Sequence, residues 1–303
     1  MDRVLDLSAF AGKVGYVRGS VVVVPETESE GTRVPLADLG VVLVGLKTSL
    51  SGAVLHQCAD FDVVVLVCDW RGVPVSGAFP WSHHTRVGAR QLAQTSASLP
   101  RKKNAWARIV RAKIDGQRAN LALHSPAAAQ ALAGVRRSVR SGDPDNAEAR
   151  AARLYWPKVF GDTTFVREPG AGSGLNGLLD YGYAILRGFG IRAVLSAGLA
   201  PAIGLFHRGR SNPFNLVDDL IEPFRPAVDW TVASLPSDAA VNHPSVKQEL
   251  VRATTGPFGV DGHSAATELT TLAQALGKYF EGDTDVLPVP AWSPRPPTDD
   301  LNG

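Results

Sequence analysis

The sequence predicts an α+β protein, with a small N-terminal β domain over residues 1–80 and a larger all-helical domain over residues 81–287. Two observations carry this. Short runs rich in Val, Leu and Ile, broken by glycine turns, fill the first 80 residues, and β-branched side chains suit a pleated surface better than a helix. From about residue 83 the apolar residues recur three and four apart among Ala, Leu, Gln and Arg, which is the helical period. A chain of 303 residues is long enough for two cores. Its 45% apolar and 20% charged residues are ordinary globular proportions.

The expected strands are residues 4–7, 13–17, 20–24, 39–46 and 63–68, separated by Arg18-Gly19, Gly31 and Arg71-Gly72. Residues 77–81 read as the linker out of the β domain. Helices are expected over 87–98 and 105–123. The next starts at Ser125-Pro126, with serine at the N-cap and proline at the first helical position. Asp143-Pro144 opens another, to about residue 159. A flexible loop covers 170–174, and helices follow over 175–196, 215–232 and 264–280. Residues 288–303 are proline-rich and polar, the composition of a disordered tail.

No stretch reaches the roughly 18 apolar residues of a membrane span. The opening MDRVLDLSAF lacks the apolar segment of a secretory signal. The expectation is a cytoplasmic protein with no membrane attachment. Cys58 and Cys68 lie in apolar runs and read as buried free thiols, without the companion ligands of a zinc site.

The formal charge of +2 says little, but its distribution is uneven. Residues 86–140 hold Arg86, Arg90, Arg101, Lys102, Lys103, Arg108, Arg111, Lys113, Arg118, Arg136, Arg137 and Arg140 against one acid, Asp115. A one-sided cationic segment in a near-neutral protein reads as an electrostatic footprint for a polyanion, with a solvated helix face as the other role open to it, although such faces usually mix both signs.

Three residues have the chemistry to hold a divalent cation: Glu148 on an alanine-rich helix, His207 after an apolar run, and Glu222 at the end of Asp218-Asp219-Leu220-Ile221-Glu222. Asp218 and Asp219 precede Glu222 by four and three residues, so the three carboxylates are expected on one side of a helix, where a cation would relieve their repulsion. Carboxylates and an imidazole leave positions open for water and phosphate oxygens, as magnesium or manganese chemistry on phosphodiesters requires. Each residue also has a plain structural role open to it: His207 as a packed core histidine, Asp218-Asp219 as complements to a helix dipole, Glu148 as a surface residue. Spacing alone does not join positions 148, 207 and 222.

Residues 175–229, LNGLLDYGYAILRGFGIRAVLSAGLAPAIGLFHRGRSNPFNLVDDLIEPFRPAVD, closely resemble the helical domain of the CRISPR-associated adaptation endonuclease, the universal integrase subunit that inserts new spacers. That family pairs an N-x-x-L-x-Y-G-Y-A-x-L helix with a G-L-x-P-x-x-G-x-x-H turn and a D-L-x-E-x-F-R-P helix. Upstream, SGDPDNAEARAARLYWPKVFG matches its first ligand helix, with Glu148 at the glutamate position. The segment Arg71-Gly72-Val73-Pro74 fits its β domain, and the likeness covers most of residues 3–232. The compact forms of type II systems are the most similar. In them the third ligand is the glutamate of the E-P-F-R-P block, here Glu222, and because some relatives use an aspartate there, Asp219 stands as a supporting acid. One departure is Asp180, where the family usually has asparagine.

The resemblance implies Mg2+ or Mn2+ on Glu148, His207 and Glu222, the catalytic residues. The implied reaction is transesterification, in which the 3′ hydroxyl of a captured DNA attacks a phosphodiester at the leader-repeat junction of a CRISPR array. Water in place of the hydroxyl gives endonuclease activity. The implied partners are double-stranded DNA (prespacer and CRISPR repeat), a second copy joined through the β domains as a homodimer, and a small ferredoxin-like adaptation subunit that completes a heterohexamer. Arg208, Arg210 and Arg225 are expected on phosphates, with a salt bridge to nearby carboxylates as the other role open to Arg225. Arg136, Arg137 and Arg140 are expected on the DNA backbone. Tyr155 and Trp156 are candidates for stacking on a frayed DNA end, with core packing the favoured role for Trp156. Two other readings stand beside this one: a non-catalytic DNA-binding scaffold of the same complex, and a repair nuclease acting on branched DNA.

Overall fold

The computed structural model describes residues 3–70, 72, 74–80, 84–259 and 261–294. Its N-terminal part holds two four-stranded sheets. In the first, β1 (Arg3–Leu7), β5 (Leu39–Val44) and β7 (Val64–Cys68) run parallel, and β8 (Pro74–Ala78) closes the edge antiparallel to β7. The second is ordered β4 (Thr32–Pro35), β3 (Ser20–Pro25), β2 (Gly12–Val17) and β6 (Thr48–Leu50).

The first sheet is a wall between two cores. Every residue of β5 is buried, which is how a strand covered on both faces reads in sequence. Val42, Val44, Val63 and Val65 face a small core with Val14, Val21, Val54 and Cys58. The alternating set Val41, Leu43, Val64, Leu66 and Cys68 faces the large core of the helical region. The period of two thus couples the β region to the helices through one sheet. Cys58 and Cys68 are free and buried, one in each core. Burial pushes their thiols up, to about 11 and about 12.

Several elements depart from the sequence expectation, among them the short strands β4 and β6, which it did not include. Residues 52–60 form a helix, α1 (Gly52–Asp60), which buries Val54 and Cys58 one turn apart. Strand β8 takes in the first two residues of what reads as linker, because Gly77 and Ala78 pair with Leu66 and Val65 of β7. A helix with no counterpart in the sequence reading, α9 (Pro244–Thr255), follows the last family-like block. Arg71, Val73 and Trp81, on which parts of the N-terminal reading rest, lie outside the described residues.

The remaining helices are α2 (Val87–Ser96), α3 (Leu99–Leu121), α4 (Pro126–Ser138), α5 (Ala147–Val159), α6 (Gly174–Ser196), α7 (Asn215–Ile221), α8 (Arg225–Ser234) and α10 (Ala265–Glu281). Helix α6 is buried almost all round, as a central helix must be. Glycine within it costs about 1 kcal/mol of helix propensity each, and close packing offsets that cost. A Cβ on Gly182 would stand 2.4 Å from Val228 Cγ1 of α8.

The part of the expected disordered tail within the described residues, 288–294, packs onto the helices, directly after the end of the helical region. Leu287 is fully buried, and the Trp292 indole N–H donates to Asn120 Oδ1 of α3 at 2.7 Å while its ring packs near Phe258. Proline here stiffens a strap that runs back over the helices. Residues 295–303 lie outside the described residues. Among the described residues no helix is long and apolar enough to cross a membrane.

Candidate active site

Helix α5 presents Glu148 in its first turn. Asn146, in a left-handed conformation at φ 50°, caps the helix by accepting from Ala149 N–H. The carboxylate of Asp143 accepts from Ala147 N–H at 2.8 Å and Glu148 N–H at 3.0 Å. Two caps on one helix start fix the direction in which Glu148 leaves it.

His207 sits on a loop held by three buried side chains. Gln94 donates to the carbonyls of Ala200 and Ile203 and accepts from Ala200 N–H. Asn215 donates to Ala202 and Gly209 and accepts from Gly209 N–H. Asp219 accepts the N–H groups of Leu205, Phe206 and His207 at 2.6, 3.1 and 3.2 Å. The loop passes so close that a Cβ on Gly204 would lie 2.5 Å from His207 O and 2.7 Å from Asp219 Oδ2. Asp219 Oδ1 also lies 2.7 Å from His207 Nδ1. That contact assigns the hydrogen to Nδ1, leaves Nε2 as the lone-pair nitrogen, and fixes the ring, the usual arrangement behind a metal-binding histidine. The hydrogen bond to Asp219 raises the imidazole's pKa against an opposing effect of burial. The sequence-assigned supporting acid therefore acts on His207 and its loop.

The three acids before and at Glu222 do not share one cation, contrary to expectation. Asp218 accepts from Arg187 at 2.9 Å and Asn212 at 2.7 Å. Asp219 takes the His207 loop. Glu222, where α7 tightens into a 3-10 turn, faces elsewhere. Successive helical residues point about 100° apart, and each carboxylate has found its own donors.

Glu222 meets Glu148 across an ammonium group. Lys113 Nζ of α3 lies 2.6 Å from Glu148 Oε1 and 2.5 Å from Glu222 Oε2. Arg225 Nε lies 3.0 Å from Glu222 Oε1, and its guanidinium covers the Tyr183 ring at 4.5 Å. Burial opposes the charge on Lys113, but Glu222 and then Glu148 overcome it and hold the ammonium above its usual pKa. Burial likewise opposes the Glu222 carboxylate, and Arg225 and Lys113 prevail and hold it below the usual range. His207 is near enough for its charge to act on Glu222 in the same direction.

The donor set fits a divalent cation in kind: two hard carboxylates converge on one charged point, beside an oriented imidazole. That point is filled by Lys113. In this conformation no three acid, histidine or cysteine side chains among the described residues stand close enough to enclose an ion. Lys113, which pairs both carboxylates, is a residue that the sequence reading counted only as part of a basic segment. Its signal was its register: Ile109, Gln117 and Asn120, at helical spacing from it, are all buried. A lysine on the buried stripe of a helix needs an acidic partner.

The other expected residues divide. Arg225 is in the salt bridge with Glu222. Arg136 pairs with Asp115 and Arg140 with Asp145. Arg137, Arg208 and Arg210 are exposed. Tyr155 is fully buried and its hydroxyl accepts from Asn120, which removes it from DNA stacking. Trp156 packs against Phe160 and Phe165. Asp180 is paired: Arg167 donates to it at 2.5 Å and Gly170 N–H at 2.8 Å, so the acid latches the 167–170 loop onto α6. Beside the site a cleft of about 780 Å³ is lined by His207, Arg225, Arg187, Arg167 and Tyr183.

The profile of the family described as CRISPR associated protein Cas1 matches residues 11–251. A CRISPR-associated endonuclease Cas1 of Neisseria meningitidis serogroup C (strain 8013) is 33% identical over 280 residues, covering 90% of each chain. Among solved structures, a casposase bound to its integration product is similar at TM-score 0.74 and 19% identity, over 99% of this chain and 97% of that one. A Cas6-RT-Cas1 chain in complex with Cas2 is similar at TM-score 0.73 and 16% identity, over 97% of this chain and 36% of that one. These two likenesses show a shared fold.

Proposed function

The chain belongs to the CRISPR-associated Cas1 family, and on that premise we propose that it is a divalent-metal-dependent DNA endonuclease and integrase that inserts captured DNA into a CRISPR array. The observation that carries this reading is the convergence of Glu148 and Glu222, from α5 and the end of α7, on one cation position beside His207. An endonuclease relative over nine-tenths of the chain and a structural neighbour holding an integration product support it.

A Mg2+ or Mn2+ ion on Glu148, His207 Nε2 and Glu222 would supply Lewis-acid stabilisation of charge on the phosphate and alignment of the attacking 3′ hydroxyl. Asp219, by accepting a hydrogen bond from Nδ1–H, orients His207 so that Nε2 can act as the ligand atom. Arg225 restrains one oxygen of the Glu222 carboxylate and leaves the other to hold the ion. Arg208 and Arg210, exposed beside the histidine, hold the backbone of the incoming strand. Arg136, Arg137 and Arg140 add salt-dependent affinity from the α4 side. In the transfer a new phosphorus–oxygen bond forms from the 3′ oxygen of the captured strand. The bond to the array strand's leaving 3′ oxygen breaks, and that oxygen takes up a proton as the attacking hydroxyl gives one up. The working assembly is a homodimer through the β domains, joined by the small adaptation subunit, in line with the Cas1–Cas2 complex among its structural neighbours.

The test is integration of a fluorescent prespacer into a plasmid carrying the repeat, with the full chain, its small partner and Mn2+. Product from the parent and a loss of at least about a hundredfold in Glu148→Ala and Glu222→Ala is expected. Equal product from all three would refute the site. DNA binding without product, in the parent as in the variants, would leave the scaffold reading.

A further inference from the structure

We propose that Lys113 is the resident cation of the Glu148–Glu222 pair and that it leaves when a divalent ion enters, so that metal binding at this site is an exchange of an ammonium for a dication. The inference rests on the reading of that pair as a metal site.

The charge count is the first argument. Two carboxylates, Glu148 and Glu222, face two cations, Lys113 and Arg225. The cluster is neutral as it stands. A dication added to a neutral, shielded cluster gains no net attraction and is repelled by an ammonium within a few ångströms. Withdrawal of Lys113 leaves Glu148 and one oxygen of Glu222 facing the ion, with Arg225 still on the other oxygen.

Geometry identifies which cation moves. Arg225 is confined by Glu222 on one side and the Tyr183 ring on the other. Lys113 has only the two carboxylates among its described partners and ends a flexible four-carbon stem. The site opens at Glu148, whose side chain is 25% exposed against 6% for Glu222. An ion therefore meets Glu148 and His207 first. Asp219 is the contrasting acid: three backbone N–H groups and the imidazole occupy it, so it has no loosely held partner to exchange.

The test uses the full chain with Mn2+ as probe, its free concentration read by electron paramagnetic resonance, and thermal unfolding with and without Mn2+. Lys113→Met should bind Mn2+ about tenfold or more tightly than wild type, because a repelling unit charge is gone. It should also melt lower without metal and gain more from Mn2+ than wild type does. Lys113→Arg, which keeps the charge on a rigid fork, should bind Mn2+ more weakly than wild type. If Lys113→Met folds only with metal, refolding in Mn2+ followed by titration with a chelator gives the same affinity, and Lys113→Gln repeats the comparison. Wild-type or weaker Mn2+ affinity in Lys113→Met, with wild type binding, would overturn the exchange. Equal binding by wild type and Glu148→Ala would remove the metal site itself, and the exchange with it.

Discussion

Glu222 and Asp229 are buried acids two helical turns apart, and their surroundings drive them in opposite directions. Both are almost inaccessible, at 4% and 1% exposure. Burial raises the pKa of each. Glu222 then meets Arg225 and Lys113, which bring it below the usual range. Asp229 meets the hydroxyls of Tyr183 and Tyr155, and burial leaves it at about 7. The partner, more than the depth, sets the charge of a buried carboxyl. An acid kept ionised by neighbouring cations suits the ion-binding role proposed for Glu222. One that burial holds near neutral, with two phenols bonded to it, is scaffold, and here it ties α6, α5 and α8 together.

The largest effect that would break this contrast is at Glu222. Glu222→Gln leaves Lys113 and Arg225 facing a neutral amide, and unpairing a buried ion costs about 3–5 kcal/mol. Urea unfolding at pH 7 measures it. A loss below about 1 kcal/mol would place Glu222 outside the charge cluster.

Asp229 carries a pH signature of the other sign. Its pKa rises from 3.8 to about 7 on folding, so between those values the folded protein holds a proton that the unfolded chain has released. Stability from this group is full below about pH 4 and falls as pH rises to about 7, by up to about 4 kcal/mol. Asp229→Asn, a mimic of the protonated acid, should remove that slope: similar to wild type near pH 4, and more stable relative to it near pH 8. An unchanged slope in the variant would assign the titration elsewhere.

The smallest effect sharpens the contrast from the tail. The Trp292 indole donates to Asn120, whose amide donates to the Tyr155 hydroxyl, which in turn bonds to Asp229. Trp292→Phe keeps most of the packing and loses the first link, for about 1 kcal/mol. Denaturant midpoints resolve that difference, and no change would show the strap to be held by packing alone.

The period-two runs and the glycine turns made the β region legible, because burial on one or both faces writes itself into alternation. Helix α1 was not: Gly52 to Asp60 sits between two strands and buries only Val54 and Cys58, too few to reveal a period. The tail misled because composition registers its prolines and not the single indole that anchors it. At the site, motif likeness supplied Glu148, His207 and Glu222, and the fold brings Glu148 and Glu222 onto one ammonium with His207 nearby. Helical spacing wrongly grouped Asp218, Asp219 and Glu222, since α7 gives way to a 3-10 turn at Glu222 and each acid has separate donors. Lys113, Gln94 and Asn215 were hidden for a common reason. Each acts through a partner distant in sequence, and only the folded chain shows which.

The most direct test of the account is anomalous diffraction from crystals of the full chain soaked in Mn2+. The account predicts one strong peak bridging Glu148 and Glu222 within ligand reach of His207 Nε2, with the Lys113 ammonium withdrawn from between the carboxylates. A peak on Asp218 or Asp229, or Lys113 still seated between Glu148 and Glu222 with Mn2+ bound elsewhere, would contradict it.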